Sequence, residues 1–150
     1  MTTVFVDADA CPVTRDAISV ARAHGAGVVL VCNDSQNLSR YEGRSGIETI
    51  RVAAGRDVAD FRIVERLSAG DVVVTEDIGL AAMALGGRAK AVTPRGRVFS
   101  PATIDMELAV RHAEQVERRR RGRVRGGPTP FEDEDRERFR EVLTRLLRKE

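Results

Sequence analysis

The sequence predicts an α/β domain with a doubly wound, mainly parallel sheet of about five strands, and three observations predict it. Apolar runs such as VVLVC at 28–32 and the three valines of DVVVT at 71–75 have the composition of strands buried on both faces. Segments with helical spacing separate these runs. Strand and helix patterns alternate as far as residue 93, as in βαβ units joined by right-handed crossovers.

Residues 3–8 (TVFVDA) form a β-rich run ending in acids, and Pro12 occupies a favoured first position of a helix that runs to about Gly25. Gly25 and Gly27 stop that helix, and 28–32 is the second strand. Residues 33–46 are polar and glycine-containing, a loop long enough to suggest a functional or flexible segment. A third strand is expected at 48–52 and a helix at 57–67. The Gly70-Asp71 turn leads into a fourth strand at 71–75, a helix at 77–85 and a fifth strand at 89–93.

Beyond Pro94 the pattern changes to a turn-rich loop (TPRGRVFSP), a helix at about 102–117, an arginine run, a Gly126-Gly127-Pro128 break and a last helix. In that helix Phe139, Val142, Leu143, Leu146 and Leu147 recur at helical spacing, so one face must pack on the domain or on a second subunit. The expected organisation is an α/β domain at 1–117, an Arg/Gly-rich linker or arm at 118–130 and an amphipathic helix at 131–150, in a monomer or homodimer.

A length of 150 residues with 42% apolar side chains suits a single core. No apolar run approaches the roughly 20 residues of a membrane helix, and the chain enters a strand pattern without a leader-like segment, so a cytoplasmic protein is expected. Cys11 and Cys32 read as reduced thiols, and without His or Cys companions they make no zinc site. His24 and His112 read as isolated surface or helix-end residues.

The net charge of +2 conceals an uneven distribution. Arg118, Arg119, Arg120, Arg121, Arg123 and Arg125 outnumber local carboxylates, so this arm should attract polyanions, RNA or single-stranded DNA being the natural partner; a solvated arm is the ordinary alternative. Aromatic residues are scarce, so such binding would rest on phosphate contacts.

The strongest chemical signal is acidic. Asp7 and Asp9 are spaced i, i+2 at a strand end, where the pleat would turn both carboxylates into one cleft. Two like charges held together call for a metal, a shared proton or an arginine. Asp77, in Thr75-Glu76-Asp77, ends the fourth strand and opens a helix, where an N-cap is its ordinary role. Ligands bind open parallel sheets at the carboxyl ends of strands where the order reverses, and an order of 3-2-1-4-5 would bring Asp7, Asp9 and Asp77 together there. Asp57 and Asp60 share one side of a first helical turn, either as caps or with one of them reaching the cleft. Several carboxylates without His or Cys favour Mg²⁺ or Mn²⁺, which with a phosphodiester present is nuclease chemistry. Arg95 and Arg97 flank Gly96 near the expected cleft mouth as phosphate contacts, and Asn33 and Ser35 stand beyond the second strand as substrate-binding candidates.

VDADACPV at 6–13, RVAAGRDVAD at 51–60, AGDVVVTEDIGLA at 69–81, PRG at 94–96 and GGPTPF at 126–131 together resemble the YaiI/YqxD family nearly end to end. The resemblance implies a PIN-like fold, related to Mg²⁺- or Mn²⁺-dependent nucleases whose acids sit at the ends of the first and fourth strands. Carried over by position, Asp7 matches the first-strand acid, Asp77 the acid of the T-x-D motif, Asp57 or Asp60 the acid on the intervening helix, and Thr75 the hydroxyl residue before the second acidic position. Asp9 belongs to the family's own D-A-D pattern, and Glu76 takes a variable place.

Two alternatives remain at this stage. One is a non-catalytic RNA-binding or regulatory protein of the same fold. The other is a haloacid-dehalogenase-type phosphatase, which also opens with D-x-D; here the motif reads D-A-D-A-C, and Lys90 follows the second acidic position where that family's lysine would precede it.

Overall fold

The computed structural model describes residues 1–9, 11–33, 38–52, 58–121 and 129–148. Five strands form one all-parallel sheet in the order β3-β2-β1-β4-β5: β1 (Thr3–Asp7), β2 (Gly27–Cys32), β3 (Ile47–Arg51), β4 (Val72–Val74) and β5 (Lys90–Val92). Helices α1 (Thr14–Ala23), α2 (Val58–Val64), α3 (Ile78–Gly86), α4 (Ile104–Arg121) and α5 (Asp133–Leu147) complete the chain. The expected fold class and strand order are both present.

The apolar runs are buried on both faces because each face meets its own helices. Val4, Val6, Val28, Leu30, Val72 and Val74 pack with Val13, Ala17 and Val20 around α1 and with Phe139, Val142 and Leu143 of α5. Their alternates Phe5, Val29, Val31, Val73 and Ala91 face Ile63 of α2, Leu80 and Ala84 of α3 and Ile104 of α4. The period-2 pleat thus sends successive residues of one strand into two separate cores.

The apolar stripe of the last helix is docked within the chain, with Phe139 and Leu143 wholly buried against the α1 side. Ion pairs border this seam. Asp16 on α1 meets both Arg136 and Arg140 of α5, the latter at 2.9 Å, and Arg140 also donates to Ser19 at 3.2 Å. The α5 N-terminus is closed by a capping box between Glu132 and Asp135.

The turn after β5 receives α5. Gly96 has φ +88, and a Cβ there would lie 3.0 Å from the backbone of both Arg138 and Phe139, so only glycine admits this approach. Arg95 reaches back to Thr129, Pro130 and Asp135, with its ion pair to Asp135 at 3.1 Å, and lies 5.8 Å from the Phe131 ring centroid. The PRG segment and the Thr-Pro-Phe segment at 129–131 are therefore two halves of one clamp.

Several boundaries differ from the sequence reading: α1 begins at Thr14 and leaves Pro12 outside it, and α2 ends at Val64, short of 67. Helix α4 does not stop at residue 117 but continues through Arg118, Arg119, Arg120 and Arg121. Arginine is a good helix former, cations suit a helix C-terminus, and Arg121 pairs with Glu117 at 2.6 Å one turn back. The rest of the expected arm, including Arg123 and Arg125, lies outside the described residues. Among the described residues no helix is long and apolar enough to cross a membrane.

Candidate acidic site at the carboxyl edge

Strands β1 and β4 are neighbours, paired in register from Val4↔Val72 to Val6↔Val74, so their carboxyl ends present Asp7 and Thr75 side by side. The Thr75 hydroxyl, on a residue only 1% exposed, donates to Asp7 Oδ2 at 3.1 Å. The Thr75 hydroxyl oxygen in turn accepts from the Asp77 backbone N–H at 3.0 Å. Thr75 thus ties the end of β1 to the start of α3.

Asp77 caps α3, its Oδ1 accepting from the Gly79 and Leu80 N–H groups at 2.8 and 3.2 Å. Each of the two acids has one oxygen engaged. Asp7 Oδ1 and Asp77 Oδ2 have no hydrogen-bond partner among the described residues, and neither residue is in an ion pair with them. Burial holds the Asp7 carboxyl above the ordinary carboxylate range against the lowering by the Thr75 hydrogen bond, and the charges of Asp9 and Asp77 add to the rise.

Asp7, Glu76, Asp77, Leu108, Arg111, His112 and Gln115 line one open cavity of about 610 Å³. The last four come from α4 at i, i+3, i+4 and i+7, a single helix face that forms the opposite wall. The sequence reading missed them, and it took His112 for an isolated residue. The helical spacing was visible, but nothing local indicates that this face of α4 crosses the carboxyl edge.

The remaining sequence candidates are distributed differently. Asp9 does not line this cavity: β1 ends at Asp7, so strand alternation no longer governs Asp9, whose carboxylate accepts from Cys32 Sγ at 2.7 Å and from the Asn33 N–H at 3.0 Å. Asn33 thereby meets Asp9 through its backbone. Asp60 is buried, 8% exposed, in the first turn of α2 and is not part of the cavity lining. Asp57 and Ser35 lie outside the described residues. Arg95 is engaged in the α5 clamp, and Arg97 pairs with Glu107 while lying 5.3 Å from the Phe99 ring centroid. Neither Cys11, its thiol pushed up by burial, nor Cys32 is in a disulfide.

Among the described residues no group of three or more His, Cys, Asp or Glu side chains is arranged to hold a metal ion. Two carboxylates with open oxygens are nevertheless a fitting donor set for Mg²⁺ or Mn²⁺, hard ions often bound through one or two carboxylates with waters completing the shell.

The class these features define is a three-layer parallel α/β protein with an acidic cavity where the strand order reverses. A family model described as "Uncharacterized BCR, YaiI/YqxD family" matches residues 5–149. The chain belongs to this family, for which no function is established. It is similar to UPF0178 proteins of Caulobacter vibrioides (45% identical over 145 residues, 97% of this chain and 92% of the relative) and Exiguobacterium sibiricum (40% over 144 residues, 96% and 95%). A UPF0178 protein of Parvibaculum lavamentivorans is 44% identical over 139 residues, 93% of this chain and 89% of its own length. No solved structure matches.

Proposed function

We propose that this protein is a divalent-metal-dependent nuclease acting on RNA, with its reaction centre at Asp7 and Asp77. The observation that carries the reading is the pair itself: two carboxylates joined through Thr75 at the reversal of strand order, each with one oxygen directed to no described protein group. The resemblance to PIN-like nucleases supplies the reaction class.

Asp7 and Asp77 would hold Mg²⁺ or Mn²⁺ together with waters. When bound, such an ion supplies Lewis-acid polarisation of the phosphoryl oxygen and a lowered pKa for an attacking water. The chain's own residues set the stage for this. Thr75 fixes the Asp7 rotamer from a buried position, and the α3 backbone fixes Asp77, so both acids are oriented before ligand arrives. Arg111 and His112 across the cavity offer cationic and hydrogen-bonding groups to a phosphate opposite the acids. The phosphatase alternative has less support, because Asp9, which would serve as its acid/base, is directed to Cys32 and Asn33.

The test is Mn²⁺-dependent cleavage of labelled single-stranded RNA and DNA by the purified chain beside Asp7→Asn and Asp77→Asn. Both substitutions preserve shape, and asparagine caps a helix nearly as well as aspartate. Loss of cleavage in both variants supports the reading. Equal cleavage in all three points to a contaminant, and salt-sensitive binding without cleavage leaves the non-catalytic RNA-binding alternative.

A further inference from the structure

A second cavity, on the α1 side of the sheet, gathers four arginines around Ile18, Ser19 and Tyr41. Helix α1 presents Arg15, Ser19 and Arg22 at i, i+4 and i+7, and the segment following β2 brings Arg40, Tyr41 and Arg44 against them, around about 470 Å³. Among the described residues no carboxylate lines it. Of the acids near in sequence, Asp16 is engaged with Arg136 and Arg140 and Glu42 with Arg51, and Asp34 lies outside the described residues.

None of Arg15, Arg22, Arg40 and Arg44 is in an ion pair with a described residue, whereas Arg51, Arg62, Arg66, Arg95 and Arg97 each meet a carboxylate. Four guanidinium groups gathered around one space without a counter-charge among the described residues repel one another, and an anion seated among them relieves that repulsion. Two of the four are also oriented. Arg22 donates to the Ser45 carbonyl at 2.9 Å, and Arg44 lies 5.6 Å from the ring centroid of Tyr41.

Guanidinium forks match phosphate oxygens bidentately. A space of about 470 Å³ is on the scale of a small-molecule site and exceeds what one phosphate fills. Arg15 and Arg22 are about 10 Å apart along the helix axis, which suits successive charges of a strand. Helix α1 starts beside the carboxyl edge, so Arg15 lies at the end of the cavity nearer the acidic site. Tyr41 is buried under Arg44 and offers no open ring for base stacking, which leaves the backbone phosphates as the recognised feature.

We infer that the Arg15–Arg22–Arg40–Arg44 cavity binds the phosphodiester backbone of single-stranded nucleic acid. The inference rests on the nucleic-acid reading above but not on cleavage, and it assigns backbone binding to residues separate from the C-terminal arginine run.

The experiment is fluorescence anisotropy of labelled single-stranded RNA, and of DNA of the same sequence, with the full chain in EDTA over a salt series. Arg15→Gln/Arg40→Gln is compared with Arg62→Gln/Arg66→Gln, which removes the same charge elsewhere on the surface. Arg15 and Arg40 make no hydrogen bond or ion pair with a described residue, so the cavity variant should unfold at the wild-type temperature. The expected result is affinity at least about tenfold weaker for the cavity variant, with the slope of log K against log salt reduced by about 1.4, or about 0.7 for each lost phosphate contact. Arg15→Lys/Arg40→Lys should recover part of both. RNA and DNA should respond alike.

Wild-type affinity and slope in the cavity variant, an equal loss in the control pair, or no salt-sensitive binding by the wild type would each overturn the inference. Displacement of the strand by inorganic phosphate at matched ionic strength would replace the strand with the free anion as ligand and overturn it as stated. Binding in EDTA is read apart from cleavage, which needs the metal. Absent cleavage with cavity-dependent binding therefore removes the nuclease reading alone, and cleavage that ignores the cavity variant removes this inference alone.

Discussion

Carboxylates are treated in opposite ways on helix α1 and at the carboxyl edge of the sheet beside its start. At the seam of α1 with α5, Asp16 meets two guanidinium groups, and in the first turn of α5 Asp135 meets Arg95 and Arg138, each at 3.1 Å. At the carboxyl edge of β1 and β4, Asp7 and Asp77 meet only a hydroxyl and backbone N–H groups, although Arg111 and His112 line the same cavity. The first arrangement holds two elements together and leaves little for a ligand to gain. The second leaves negative charge to be compensated from outside, as expected of a binding site.

The comparison is broken most decisively by chemistry. Asp7→Asn or Asp77→Asn should lower Mn²⁺-dependent RNA cleavage by about 100-fold or more, since the lost charge stabilisation is worth several kcal/mol. At the seam the effect should fall on stability. Asp16→Asn should cost about 2 kcal/mol, read as a lowered urea midpoint, while leaving the cleavage rate per folded molecule unchanged.

Metal sharpens the contrast. Mg²⁺ or Mn²⁺ at about ten times its dissociation constant should stabilise the wild-type fold by about 1.4 kcal/mol, and Asp7→Asn by much less. An equal shift in both proteins would place the ion elsewhere.

The pH responses should run in opposite directions. The folded pKa of Asp7 is raised, chiefly by burial, so its contribution is fully present below the ordinary carboxylate range and is lost as pH rises through the raised value. Asp7→Asn should therefore raise the urea midpoint at neutral pH. The carboxyl of Asp135 is held below the ordinary range, first by the Glu132 backbone N–H and then by Arg95 and Arg138. Its contribution is present above the unfolded value of about 3.9 and is lost as pH falls through the folded one, so the wild-type midpoint should fall more steeply in acid than that of Asp135→Asn. This last difference should be the smallest of the set.

The strands and helices were legible because their signals are local. A run such as VVLVC fits only a strand covered on both faces, and the alternation of such runs with helical spacing leaves few topologies. The acidic pair was half legible. Asp7 and Asp77 could be joined through strand order, but Asp9 was placed with them by extending strand alternation beyond Asp7, where β1 ends.

By itself the sequence determined the fold class, the strand order, the docking face of α5 and the identity of the acids, because periodicity and residue type act over a few positions. Only the tertiary structure decided which charges are compensated. Arg95 looked available for phosphate yet is held by Thr129 and Asp135 some 34 and 40 residues away, while Arg15 and Arg40, unremarkable in the sequence, meet around a space lined by no carboxylate among the described residues. Ion pairing depends on distances between side chains far apart in the chain, and those distances exist only once the sheet and its helices have packed.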